Sequence, residues 1–327
     1  MNGRLEHDMK IQQHNKVKLE TMPDFVSEYY DQMKASRLTE PTCRDYLSKI
    51  YKFLSFINPK VDTINVEDIT ASTVRKYLTS LETVVDKNGN TRYTSDSYKQ
   101  TVWICLNGFL KFLVSSGYLE KNYLEDISKP KLDDQDRVDK KRVLLTEDDF
   151  KAILRSVDKC NNYIACRRDK AMLSLMMCTG MRESALSEIN LENLNLDEHR
   201  INGIAKGKKS MEYVFNDSTA EAIRQWLFVR DNYVKEVNTE SLFLSNQGNR
   251  MAVNSIAKMV KKYTKAGIGK ELSPHKLRAG YVSIIYNKTG NLEFARRAVG
   301  HASVNTTKLY AVTEGNERAE AADMIVI

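Results

Sequence analysis

The stretch from Ser273 to Tyr310 gathers residue types that can act on a phosphate: His275 and Arg278 three positions apart, a second imidazole at His301, and a phenol at Tyr310. Ser273 followed by Pro274 predicts a helix start, with Ser as N-cap and Pro at the first helical position. His275 and Arg278 then project from one face of the first turns. A helix N-terminus carries partial positive charge and free N–H groups, which suit a bound phosphate. Leu277, Tyr281, Ile284 and Ile285 supply an apolar stripe, and Gly290 marks the end. Singly, each residue has an ordinary use, such as a surface His–Arg pair or a half-buried Tyr. Together they make a phosphate clamp, two imidazoles and a candidate nucleophile.

Two further cations come from earlier in the chain. Thr179-Gly180-Met181-Arg182-Glu183-Ser184 follows an apolar run, Met172 to Met177, that predicts a buried helix ended by Gly180. Arg182 then sits at a turn between two helices, where its guanidinium can reach into a cleft. Ile201-Asn202-Gly203-Ile204-Ala205 and Met211 to Phe215 read as short strands around a Gly/Lys turn, a hairpin with Lys206 near its tip.

The order Arg182, Lys206, His275, Arg278, His301, Tyr310 resembles the catalytic domain of the tyrosine recombinase (phage integrase, Xer-like) family. Thr-Gly-Met-Arg, Ala-Lys-Gly-Lys-Lys, Pro-His-Lys-Leu-Arg, Val-Gly-His-Ala-Ser and Thr-Thr-Lys-Leu-Tyr match its motifs in order and separation. Two positions depart. The family often carries an acid three residues after the first Arg, where this chain has Ala185, with Glu183 and Glu188 out of register. The residue after the second Arg is often His or Arg, and here it is Ala279.

The resemblance implies a site-specific DNA recombinase. The Tyr310 phenolate would attack a DNA phosphorus, giving a 3′-phosphotyrosyl bond and a free 5′-hydroxyl. Arg182 and Arg278 would offer guanidinium forks to the non-bridging oxygens as charge builds. A phenol with a pKa of about 10 must lose its proton, with His275 as base. Lys206 would protonate the leaving oxygen, and His301 would hydrogen-bond the phosphate. The covalent bond conserves the phosphodiester's energy, so no ATP or other cofactor is expected. No carboxylate cluster accompanies these groups, which argues against a metal-dependent mechanism. Lys208, Lys209 and Lys276 would bind phosphate rather than bases. Two alternatives share the pattern: type IB topoisomerase-like relaxation, and a non-catalytic DNA-binding regulator that kept the fold.

At 327 residues, the chain is long enough for two domains with cores of their own. A net charge of +7 suits a polyanionic partner without proving one. The five cysteines lack paired metal spacing. No signal peptide and no apolar span of membrane length stand in the sequence, so a cytoplasmic, reduced protein is expected.

In chain order, residues 1–20 are polar and read as a flexible arm, a short helix that touches a neighbouring subunit, or a frayed tail. Residues 21–128 predict a helical bundle: Phe25, Tyr29 and Met33 share a face, and a second helix capped by Thr39 or Thr42 stops at Asn58-Pro59. Further helices follow over 70–81 and 95–116, with Asp86 to Asn90 a turn or small hairpin between them. The bundle resembles the family's core-binding domain, with Arg44, Arg75, Tyr98 and Lys99 as candidate phosphate contacts. Residues 129–142 form a charged linker containing Pro130, and 143–327 the catalytic domain, opened by an N-cap at Thr146. The expected fold is mainly α with a small antiparallel β-sheet in the catalytic domain, its two domains forming a C-shaped clamp on double-stranded DNA. The family's assemblies imply a homotetramer on two duplexes. The apolar tail Met324 to Ile327 reads as a disordered end, as packing on its own domain or as docking onto a neighbour, and the family's exchange of this tail between protomers favours docking.

Overall fold

The structure is a computed structural model that describes residues 3–85, 89–131, 145–205, 209–233 and 240–300, with backbone only for 3–7, 203–205 and 209–211. It divides into two compact units, Met1–Asp134 and Gln135–Ile327. The boundary falls inside the segment expected as linker.

The first unit is a bundle of α1 (Gly3–Leu19), α2 (Asp24–Ala35), α3 (Glu40–Ile57), α4 (Ala71–Ser80) and α5 (Asp96–Ser115). Its starts are set locally. Thr70 and Ser95 accept hydrogen bonds from the backbone N–H groups of Thr73 and Tyr98, and Pro41 lies in the first turn of α3. Leu47, Ile50 and Phe53 from α3 and Leu106, Phe109 and Leu110 from α5 are fully buried. Each such side chain contributes about 1.5–3 kcal/mol on burial. Between α4 and α5, β1 (Thr83–Val85) and β2 (Thr91–Tyr93) pair antiparallel, with Val84 opposite Arg92. The hairpin tip lies outside the described residues.

Of the readings for the N-terminal stretch, the structure has the helix, and it packs on α3 of its own unit. Ile11 and Leu19 enter the core, and Asn15 is wholly buried. Asn15 Nδ2 donates to the Glu40 carbonyl at 3.2 Å and to Glu40 Oε2 at 2.9 Å. Tyr30 Oη donates to the same Oε2 at 2.9 Å, and Lys34 Nζ lies 2.5 Å from Oε1. A polar sequence can therefore pack, because the carbonyl and carboxylate of Glu40 accept from the buried amide's Nδ2 group.

The second unit is built on α7 (Tyr163–Thr179), whose Met172, Leu173, Leu175 and Met176 are buried around most of its circumference. Around it lie α6 (Glu147–Val157), α8 (Glu183–Glu188), α9 (Asp217–Arg230), α10 (Val253–Ile268), α11 (Pro274–Thr289) and α12 (Leu292–Ala298). Thr146 and Asp149 form a reciprocal capping box at the start of α6. A three-stranded antiparallel sheet joins β3 (Leu194–Asn195), β4 (Arg200–Ala205) and β5 (Lys209–Val214) in that order. The irregular segment after α9 has few ladder partners, so buried side chains serve its carbonyls. Arg230 and Trp226 donate to Leu242 O, and Arg168 Nη1 donates to Leu244 O at 2.9 Å.

The cysteines depart from expectation. Cys160 and Cys166 form a disulfide, because the turn between α6 and α7 brings their Cα atoms to 6.0 Å. Cys43 and Cys105 are buried thiols and Cys178 is half-buried.

Candidate active site

Arg278 is the fixed point of the site. Its helix α11 starts as the sequence predicts, at Ser273-Pro274, and ends at Gly290 in the left-handed region. The Ser273 side chain makes no cap hydrogen bond, while its carbonyl accepts from the N–H groups of Lys276 and Leu277. The buried surface is broader than the expected stripe. Leu277 and Val282 are wholly buried, Gly280 and Ser283 are buried, and Tyr281, Ile284 and Ile285 are half-buried. Arg278 is 5% exposed. Its Nη1 donates to the carbonyl of Gly180, and its Nη2 donates to that of Val299 at 2.7 Å. One guanidinium therefore ties the turn after α7 to α11 and to the segment leading into His301.

The turn itself requires glycine. Gly180 has φ of 60°, and a Cβ there would lie 2.5 Å from Tyr281 Cδ1 and 2.9 Å from Val299 Cγ1. Two residues on, Arg182 is half-buried at the N-cap position of α8. His275 is exposed on the first turn of α11, with Nε2 3.5 Å from Glu183 Oε1, and Lys276 beside it is half-buried. Tyr213 on β5 is 4% exposed. Burial pushes its phenol pKa up while the positive charges of Arg278 and Arg182 pull it down, so its ring lies in the field of both guanidiniums.

The structure thus brings Arg182, His275 and Arg278 to one place. Lys209 opens β5 beside the hairpin turn, and its side chain is not described. Lys206, Lys208, His301 and Tyr310 lie outside the described residues. Sequence reasoning missed Tyr213 and treated Glu183 only as an acid out of register. An alternating strand pattern at residues 211–215 could have marked Tyr213 as inward-facing.

In the first unit, Arg44 and Arg75 are exposed, and Arg75 Nε donates to its own helix at Ala71 O, 3.1 Å away. Lys52 Nζ donates to Tyr98 Oη at 3.3 Å and stands 5.7 Å over that ring. Lys99 is engaged differently from the other three candidates. Its Nζ pairs with Glu82 at 2.6 Å and Asp96 at 3.3 Å, and the Glu82 hydrogen bond raises its pKa.

Residues 144–316 match the model of the phage integrase family. A tyrosine recombinase XerC of Thermodesulfovibrio yellowstonii is 30% identical over 279 residues, 82% of this chain and 84% of that protein. Among solved structures, a XerH site-specific recombinase bound to its difH substrate in a pre-cleavage complex aligns with a TM-score of 0.66 and 22% identity, over 89% of this chain and 81% of that one. A lambda integrase tetramer bound to a Holliday junction aligns with a TM-score of 0.63 and 16% identity, over 90% of this chain and 78% of that one. The family model covers the whole run from the Arg182 turn to the Tyr310 motif. The chain belongs to the phage integrase family: it is a tyrosine recombinase, an enzyme of site-specific DNA cleavage and rejoining.

Proposed function

We propose that Tyr310 is the nucleophile of this recombinase and that Arg182, Lys206, His275, Arg278 and His301 complete its site. The Tyr310 oxygen attacks the phosphorus as its proton passes to His275. The P–O5′ bond breaks, and Lys206 protonates the departing 5′-oxygen. The two guanidiniums receive the charge that builds on the non-bridging oxygens, and His301 hydrogen-bonds one of them. Rejoining is the reverse, with the 5′-hydroxyl of another strand as attacking group.

The observation that carries this reading is the double grip of Arg278. By holding the carbonyls of Gly180 and Val299, it supports the convergence of the Arg182 turn, the His275 helix and the approach to His301. Those acceptors orient the guanidinium without neutralising it.

Double-stranded DNA is the partner, and Lys208, Lys209 and Lys276 are proposed to bind its phosphates. Exposed lysines 258, 261 and 262 of α10 add positive charge to the same unit. In the other unit, the Lys52–Tyr98 pair with Arg44 and Arg75 supports a second contact surface, and Lys99 would then act through Glu82 and Asp96. The assembly we propose is a homotetramer on two duplexes, with the C-terminal tail docking between protomers. We place it in the cytoplasm; no described helix is long and apolar enough to cross a membrane.

The test uses DNA with a 5′-bridging phosphorothiolate at the candidate crossover, whose sulfur leaves without protonation and cannot religate. The wild-type protein should form an adduct that survives denaturing electrophoresis, and Tyr310→Phe should form none. DNA binding without any adduct would instead favour a non-catalytic regulator.

A further inference from the structure

We propose that Glu183 is a positioning residue that holds the His275 imidazole. The inference rests on the function proposed above and concerns a residue outside the catalytic set.

Glu183 Oε1 lies 3.5 Å from His275 Nε2 although the two residues are far apart in the chain. The carboxylate side chain is 19% exposed and the imidazole 68%. The better-buried partner is the acid, which belongs to the turn that Arg278 fixes through Gly180. The exposed partner is the imidazole, for which Glu183 is an ion-pair partner among the described residues. The contact is longer than a formed hydrogen bond, as contacts in unloaded sites often are, and closing by a few tenths of an ångström completes it.

A carboxylate can only accept, so the nitrogen facing it carries the proton. The opposite nitrogen, Nδ1, is then the one with a lone pair. Glu183 therefore sets both where the ring points and which nitrogen can take the phenolic proton. The position three residues after Arg182, Ala185, has no group that could do this. Glu183 reaches the site from two residues earlier, on the first residue of α8. The bland account is that Glu183 merely stabilises the start of that short helix.

A double-mutant cycle separates the two accounts. Single-turnover cleavage of phosphorothiolate DNA would be measured for the wild type, Glu183→Ala, His275→Ala and the double variant. If Glu183 acts through His275, its loss costs about tenfold in the wild-type background, the scale of a small misplacement of a catalytic group. In the His275→Ala background the same change costs less than about twofold. An equal loss in both backgrounds overturns the proposal, because a purely structural role is indifferent to His275. Should Glu183→Ala fail to fold, the isosteric Glu183→Gln runs the same cycle.

A readout independent of cleavage keeps this inference separate from the proposed function. In ¹³C-histidine-labelled full-length protein, the His275 Cε1–H resonance, assigned by its loss in His275→Ala, should move in Glu183→Gln. An unmoved resonance overturns the contact even if the enzyme cleaves. A moved resonance in a protein that forms no adduct sustains the contact and defeats the function instead.

Discussion

The two units differ in how they hold some of their buried and half-buried cations. In the bundle, Lys34, Lys49 and Lys99 are each matched to a carboxylate: Glu40, Asp45, and Glu82 with Asp96. In the second unit, Arg250 and Arg278 donate to backbone carbonyls, and Arg230 does so while also lying 3.6 Å from the Asp231 carboxylate. A carboxylate partner cancels the charge it holds, whereas a carbonyl fixes the geometry and leaves the charge. The first arrangement builds a scaffold; the second can also present a positive group to an incoming phosphate. Arg168, paired with Asp169 at 2.8 Å while also donating to Leu244 O, shows that the second unit uses both devices.

Breaking the carbonyl-held side should have the largest effect. Arg278→Lys keeps a cation but loses the fork, and single-turnover cleavage should fall by roughly 10²–10³-fold. A loss under about threefold would show that the geometry of the grip does not matter. Next comes Gly180→Ala, which imposes a Cβ at positive φ against Tyr281 and Val299. It should cost about 2 kcal/mol, read as a Tm lowered by roughly 5 °C. Cleavage should fall further than the stability loss accounts for, since the Gly180 carbonyl shifts under Arg278.

The carboxylate-held side should respond to acid instead. Burial opposes ionisation of Glu40, yet hydrogen bonds from Lys34, Tyr30 and Asn15 hold its pKa below the usual value. Its stabilisation is therefore complete above the unfolded pKa of about 4.3 and is lost as pH falls through the lower folded value. Urea melts of the full chain across that window should show a slope that Glu40→Gln reduces. Asn15→Ala, which leaves the buried carboxylate one donor short, should cost about 1–3 kcal/mol at neutral pH.

The smallest effect sharpens the comparison within the bundle. If Lys52 faces DNA and Lys99 is neutralised by Glu82 and Asp96, Lys52→Ala should reduce the salt slope of binding by about one. Lys99→Ala should reduce it by less, and equal slopes would remove the distinction.

Local signals carried over well from the sequence. The cap at Thr146, the helix starts near Thr70 and Ser95 and the helix ends at Gly180 and Gly290 depend on neighbours within a turn, so they could be read directly, although Ser273 makes no cap hydrogen bond. The motif spacing carried the family, and the fold brings Arg182, His275 and Arg278 together as that spacing implied. What was not legible depends on partners distant in the chain. Helix α1 has few apolar residues, and its burial hinges on Asn15 meeting Glu40. The pairing of Lys99 with Glu82 and of Glu183 with His275 likewise exists only in the folded chain. The Cys160–Cys166 bond was missed for another reason: the cysteines were weighed as metal ligands and read as reduced, not by whether a turn could join them.

The most direct test of the account is to find where the DNA is attached. After reaction with phosphorothiolate DNA, the covalent complex would be digested with protease and nuclease and mapped by tandem mass spectrometry. The account predicts a 3′-nucleotide phosphate on the phenolic oxygen of Tyr310, with the cleaved strand's other end carrying a free 5′-thiol. Attachment at any other residue, including Tyr213, would contradict it.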